Sequence, residues 1–238
     1  MKKSLVERFI SKYNIGGAAE AVTWIGTKKG LITKSGTDDK FAFAFIGCSE
    51  IVIPEGTYHI YDTSGLKKLL SVLGEDIKID YLEDERPTFK MTDELKTKTT
   101  FTLASEDVIP SAPTKVNEPE FEAEVKMNSK SIDTFIKAKK ALTDVTTFAV
   151  IADKNVDFVI GYDADNTIAN TVSVPCEVVK SKKISPVFFS ATYLSNILEA
   201  NKEATSATIS IAAKGLLKVT FEIEFFQVTY YLQKINKE

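Results

Sequence analysis

The chain has 238 residues, of which 44% are hydrophobic, 26% charged and 10% aromatic. That balance excludes disordered, collagen-like and coiled-coil chains, and the length suits one large domain or two of roughly 100–130 residues. Lys and Arg number 30 against 33 Asp and Glu, a net charge of −3, which speaks against a uniformly basic nucleic-acid binder but leaves room for a locally basic surface.

Residues 4–13 place Leu5, Val6, Phe9, Ile10 and Tyr13 at helical spacing. Ser4 reads as the cap with Glu7 three residues on, and Gly16 and Gly17 stop the helix. Strands are expected at 20–26, 30–34, 40–46 and 57–62; in the third, Phe41, Phe43 and Phe45 alternate with smaller residues. A helix over 64–73 lines up Leu66, Leu69, Leu70 and Leu73 and ends at Gly74. Strands at 76–83, 88–92 and 97–104 complete this half. Residues 105–119 hold Pro110, Pro113 and Pro119 among small and polar residues, which suits an extended linker.

Beyond it come a strand at 121–127 and a helix at 129–142 with Ile132, Phe135, Ile136 and Leu142 inward. Strands follow at 147–152, 156–162 and 167–174. After 186–189, a helix at 191–201 turns Tyr193, Leu194, Ile197 and Leu198 inward, and strands at 205–212, 216–223 and 226–233 close the chain. The two halves repeat one order of elements. This predicts two related domains, 1–104 and 120–238, joined by the linker 105–119, each mostly antiparallel sheet with two amphipathic helices on one face, an α+β protein.

No catalytic constellation is visible, and neither enzymatic activity nor a cofactor is expected. His59, the only histidine, sits in a strand and reads as structural. Cys48 and Cys176 make no metal spacing; they read as two buried thiols, with a single disulfide as the other option. Phosphate loops, nucleophile elbows and metal-binding helices are absent from the sequence. The acidic pairs Asp153/Asp157 and Asp163/Asp165 fall at turn positions, which turn chemistry explains more simply than weak cation binding. The start of the chain resembles a signal peptide for a few residues only, because Glu7, Arg8 and Lys12 interrupt the apolar positions. No apolar run reaches the roughly 18 residues of a membrane span, so a soluble intracellular protein is expected.

The helix faces turned from the core are selectively basic. Arg8 and Lys12 follow Lys2 and Lys3 on the first, Lys67 and Lys68 lie on the second, and Lys130, Lys137 and Lys140 on the third, with Lys139 nearer the boundary. The acids gather instead at 83–85, 118–124 and 222–224. Charge alone permits two readings, a two-faced molecule or lysines that simply solvate exposed helices.

The stretch Pro119-Glu-Phe-Glu-Ala-Glu-Val-Lys-Met127, with the helix after it and 149–161, resembles the start of the second domain of the proliferating cell nuclear antigen family of sliding DNA clamps. The end resembles it more closely, through Val187-Phe-Phe-Ser-Ala-Thr-Tyr-Leu194 and Val228-Thr-Tyr-Tyr-Leu-Gln-Lys-Ile235. In the first half the opening helix and the stretch from Thr63 to Ile77 carry the likeness. The chain is shorter than cellular clamps and nearer in size to those of large DNA phages, which leans toward a viral source.

The resemblance implies a head-to-tail homotrimer closed as a ring around duplex DNA, with helices lining the hole. Edge strands around Thr97, Thr99, Phe101 and Leu103, and around Thr167, Ala169, Thr171 and Ser173, would then pair between subunits. Arg8, Lys12, Lys67, Lys68, Lys130, Lys137 and Lys140 become the expected phosphate-facing cations. On the fourth helix Thr192 and Glu199 stand where the family is usually basic, and Lys202 is the nearest replacement. Partner peptides from a polymerase, a clamp loader, a ligase or a nuclease would dock beneath the linker against Val116, Tyr230, Leu232 and Ile235, although Glu118 occupies a commonly apolar linker position. Such a protein works at DNA, in the cytoplasm of a prokaryotic or virus-infected host or in a nucleus. Two other readings are a subunit of a heterotrimeric clamp, and a β-rich enzyme or small-ligand module of accidental resemblance.

Overall fold

A computed structural model describes residues 1–113, 115–164 and 169–236; Asp165, Thr167 and the first part of the expected strand 167–174 lie outside them. The described residues form two compact units, one from 1–38, 43–113 and 224–228, the other from 39–42, 115–223 and 229–236. The chain is α+β, with mostly antiparallel sheets and few helices.

The first unit contains α1 (Lys3–Asn14), β1 (Val22–Thr27), β2 (Gly30–Gly36), β3 (Ala42–Cys48), β4 (Gly56–Ile60), α2 (Thr63–Ser71), β5 (Ile77–Leu82), β6 (Thr88–Asp93) and β7 (Lys98–Thr102). Its strands run β3-β2-β1-β4 in one antiparallel sheet and β5-β6-β7 in another. Trp24 on β1 joins the layers. Its ring lies edge-on to Phe9 and Tyr13 of α1, with centroids at 5.7 and 6.3 Å, and tilted against Phe89 of β6 at 6.0 Å. Such pairs add about 0.5–1.5 kcal/mol each beyond the area they bury.

Helix α1 begins at Lys3, before the expected cap; its N-cap residue Lys2 makes no side-chain cap bond, and Ser4 N and Oγ both donate to the Glu75 carboxylate. At the other end Ile15, Gly16 and Gly17 all have positive φ, and the Asn14 side chain accepts the Gly17 N–H at 2.7 Å. The paired glycines stop the helix because that backbone strains residues with a Cβ. Asp62 caps α2 by accepting from Gly65 N at 2.7 Å. His59 joins the Thr23 hydroxyl at 3.1 Å across the β1–β4 pair.

The second unit contains β8 (Ala123–Asn128), α3 (Ser129–Ala141), β9 (Thr147–Ala152), β10 (Val156–Ile160), β11 (Val172–Pro175), β12 (Glu177–Ser181), β13 (Ile184–Ser190), α4 (Ala191–Ala200), β14 (Ser206–Ala212), β15 (Leu216–Ile223) and, from residue 229 on, β16 (Phe226–Gln233). Its sheets are ordered β12-β8-β14-β15-β16 and β11-β10-β9-β13. Phe135 of α3 meets Phe148 of β9 edge-on at 5.3 Å, and Phe148 lies 5.9 Å from Phe189 of β13. Asn128 and Ser190 cap α3 and α4 by accepting from Ser131 N and Tyr193 N at 3.0 and 3.1 Å. Strand β12 has no counterpart in the sequence reading, because four of its five residues are exposed and nothing alternates.

Both cysteines are free thiols, Cys48 buried and Cys176 half-buried. Burial raises both, and it pushes Cys176, beside the Asp157 charge, up to about 12.

Candidate nucleic-acid interface and partner groove

In each unit the two helices pack on one another, α1 with α2 and α3 with α4. Their apolar stripes face the sheets, so on α1, α2 and α3 the opposite faces are left to long cationic side chains, whereas α4 (ATYLSNILEA) carries no cation and presents Glu199. Arg8, Lys67, Lys68, Lys130, Lys137, Lys140 and Lys202 are all exposed. Among the described residues no direct ion pair engages Lys67, Lys68, Lys130 or Lys137. Lys140 Nζ sits 3.0 Å from Glu199 Oε2, and Lys202 approaches the other oxygen at 3.9 Å. The acidic residue on α4 therefore gathers two of the expected DNA-facing cations onto itself.

Lys12 departs from the expectation. It is fully buried, with Nζ 4.9 Å from the centroid of the Phe226 ring, and the Arg8 guanidinium faces the same ring at 5.0 Å. On α1 it falls on the flank of the apolar stripe beside Phe9, and Phe226 extends the apolar cover over that flank. Nothing in the spacing within α1 signals this, because the covering ring comes from the far end of the chain.

Glu20, which the sequence reading passed over, organises the junction of α1 and α2. Its carboxylate accepts from Ser64 N and Oγ at 2.8 and 2.9 Å and from Asn14 Nδ2 at 3.0 Å. Burial pushes its carboxyl upward, but these bonds and the Lys67 charge prevail and hold it below the usual glutamate range. A carboxylate at the start of α2 also suits the helix dipole.

Strand β7 ends one sheet of its unit and β11 ends one of its own. Their side chains divide by strand parity. Phe101 and Leu103 are buried, with Phe101 stacked on Tyr61, and Thr97 and Thr99 share their inward face; Lys98, Thr100 and Thr102 are the exposed residues. The buried Thr99 Oγ1 has no hydrogen-bond partner among the described residues. Ala169 is half-buried, and Thr171 and Ser173 are exposed.

Among its described residues the linker's only regular element is a 3-10 turn at Glu106–Val108. Glu118 fastens its end to the second unit, accepting from Lys218 Nζ at 2.7 Å and from the Tyr231 hydroxyl. Burial raises this carboxyl, yet the two donors outweigh it and the net shift is downward; burial and the same carboxylate push Tyr231 upward. Val116 is half-buried. Tyr230 and Leu232, expected in a partner pocket, are core residues instead. Both are fully buried, and Tyr230 Oη accepts from Asn201 Nδ2 at 2.8 Å. Ile235, another of the expected pocket residues, lines a groove of about 540 Å³ together with Ile184, Val187, Phe188 and Ala213. The tail is fixed there by bonds from Lys234 N to Gly215 O and from Ile235 N to Phe188 O, at 2.9 and 2.8 Å.

Two helices against antiparallel sheets, repeated in both units, define the α+β architecture of the DNA clamps. The chain is similar over nearly its whole length to the crystal structure of proliferating cellular nuclear antigen from Entamoeba histolytica, with a TM-score of 0.75, 13% identity, and coverage of 99% of this chain and 96% of that one. At this identity the likeness defines the fold. The sequence matches no family model and no curated protein.

Proposed function

We propose that this protein is a sliding clamp, a homotrimer that encircles duplex DNA, tethers a DNA polymerase for processive synthesis and recruits other DNA-processing proteins. The full-length likeness in fold to proliferating cellular nuclear antigen carries this reading. The exposed cations of the helices support it. Arg8, Lys67, Lys68, Lys130, Lys137, Lys140 and Lys202 are proposed to face phosphates, a contact that is sequence-independent, weakened by salt and quickly exchanged. A ring is retained by topology, so weak contacts suffice and permit sliding.

Closure is proposed to pair β7 with β11 of the next copy, which satisfies two sheet edges without building an open fibre. The groove beside Ile235 is the proposed seat of a partner's apolar peptide, and a clamp loader is the expected ring-opening partner. The protein would act at DNA inside a cell, without catalysis of its own.

The test compares retention on closed-circular and linearised DNA after a salt wash, with native mass measured on the purified chain. A clamp stays on the circle, leaves the linear ends and weighs three chains. Equal loss from both templates rejects encirclement, and a persistent monomer favours a heterotrimer.

A further inference from the structure

A second groove, of about 720 Å³, lies on the first unit, where the β1–β2 turn meets the end of β3 and residues 225–227. Gly47 is at its floor, opposite Ile32 in the β2–β3 register. A Cβ there would stand 3.4 Å from Ile32 Cγ2 and 3.8 Å from Gln227 Cβ, so the missing side chain keeps the trough between them open. Two large apolar side chains flank it in solvent, Ile32 at 40% and Phe225 at 47% exposure. Phe225 has a φ of 66°, a conformation that bulky residues rarely adopt, and its carbonyl accepts from Ser49 N at 3.0 Å. The backbone thus holds an aromatic ring out at the groove instead of folding it inward.

The rim is cationic. Lys28 and Lys29 are exposed on the β1–β2 turn and line the groove, while Phe226 forms a wall whose ring is faced by Arg8 and Lys12. Glu50 and Glu224 are exposed one residue away from Ser49 and Phe225 and are not part of the lining.

We propose that this groove docks a short extended segment of a partner protein in which an aromatic or aliphatic side chain is followed by carboxylates. The apolar side chain fills the trough over Gly47 between Ile32 and Phe225. The carboxylates then meet Lys28 and Lys29, which set direction and register. The inference stands apart from the sliding-clamp reading, since the residues it assigns to the partner segment, Lys28, Lys29, Ile32, Gly47 and Phe225, belong neither to the helices nor to the groove at Ile235.

Fluorescence anisotropy of the full chain tests it with a short labelled peptide carrying Phe-x-x-Leu-Asp-Asp-Glu. Two control peptides replace the acids by their amides or Phe and Leu by Ala. The parent peptide binds saturably, and each control binds about tenfold more weakly. Gly47→Leu fills the trough and abolishes binding, and the double variant Lys28→Glu with Lys29→Glu loses about tenfold. The lysine pair decides the matter if Gly47→Leu does not fold. The proposal is overturned by absent binding of the parent peptide, by equal binding of the amide control, or by indifference to the lysine reversals. It is also overturned if Gly47→Leu lowers the native mass of the chain alone, which would make the occupant a second copy.

Discussion

Lys140 Nζ lies 3.0 Å from Glu199 Oε2, so the end of α3 is joined to α4 by an ion pair, and Lys202 approaches the same carboxylate at 3.9 Å. These side chains are 65%, 43% and 65% exposed, so the cluster contributes only about 0.2–1 kcal/mol to stability. Its larger effect is on charge, because one carboxylate offsets two cations on a face proposed to meet phosphates. Glu199→Gln is therefore expected to strengthen retention on circular DNA and steepen its salt dependence, while stability moves by under about 0.5 kcal/mol. Weaker retention in this variant would remove Lys140 and Lys202 from the DNA-facing set.

Lys130 and Lys137 stand two helical turns apart on α3 and carry no direct ion pair among the described residues. Reversing both to Glu is expected to lower clamp-stimulated DNA synthesis and flatten the salt slope by about 0.9 per lost phosphate contact, leaving native mass unchanged. Undiminished synthesis would exclude this pair from the track.

Lys12 is expected to behave as a core residue. Lys12→Met keeps the aliphatic stem over Phe226 and should leave DNA retention unaltered. Lys12→Glu places a carboxylate in the same enclosed site and should cost about 3 kcal/mol or more, read from urea unfolding. A retention defect in a well-folded Lys12→Met protein would return this lysine to the interface.

On β7 the N–H of Leu103 bonds to Pro87 O on the β6 side, and that of Ala104 bonds to His59 O on the other. By the antiparallel alternation Thr100 directs its N–H away from β6. Thr100→Pro should therefore spare the β6–β7 ladder and reduce the trimer to monomers in native mass measurement. A proline variant that remained trimeric would show that this edge does not close the ring.

Glu118 gives a pH dependence whose sign is fixed. Its folded carboxyl titrates below the ordinary glutamate value of about 4.3, so its contribution is complete above that pH and is lost as pH falls through the depressed folded value. Melting temperature followed from neutral pH downward should fall less steeply for Glu118→Gln than for the parent chain in this acid range. Superimposable profiles would dismiss the Lys218 and Tyr231 bonds as a meaningful tether.

The sequence resolved the elements whose patterning is local. The four helices announce themselves through leucine and phenylalanine stripes, and the strand around Phe43 and Phe45 through alternation. What stayed hidden depends on distant chain. Lys12 is buried by Phe226, and Glu118 accepts hydrogen bonds from Lys218 and Tyr231, residues brought close only by folding. Tyr230 and Tyr231 illustrate the limit well. Neighbours in a strand point to opposite faces, so only one could meet the linker, and their identical side chains do not say which. On β7 the parity is also set by folding, since Thr97, Thr99, Phe101 and Leu103 share the inward face and the solvent side belongs to Lys98, Thr100 and Thr102.

The enclosure of Lys12 also makes it a silent amine. An acylating reagent or lysine acetyltransferase would mark Lys67, Lys68, Lys130 and Lys137 and skip Lys12 for as long as α1 stays docked. Covalent labelling mapped by mass spectrometry would then contain its own integrity gauge, a site whose appearance reports that the first helix has come away.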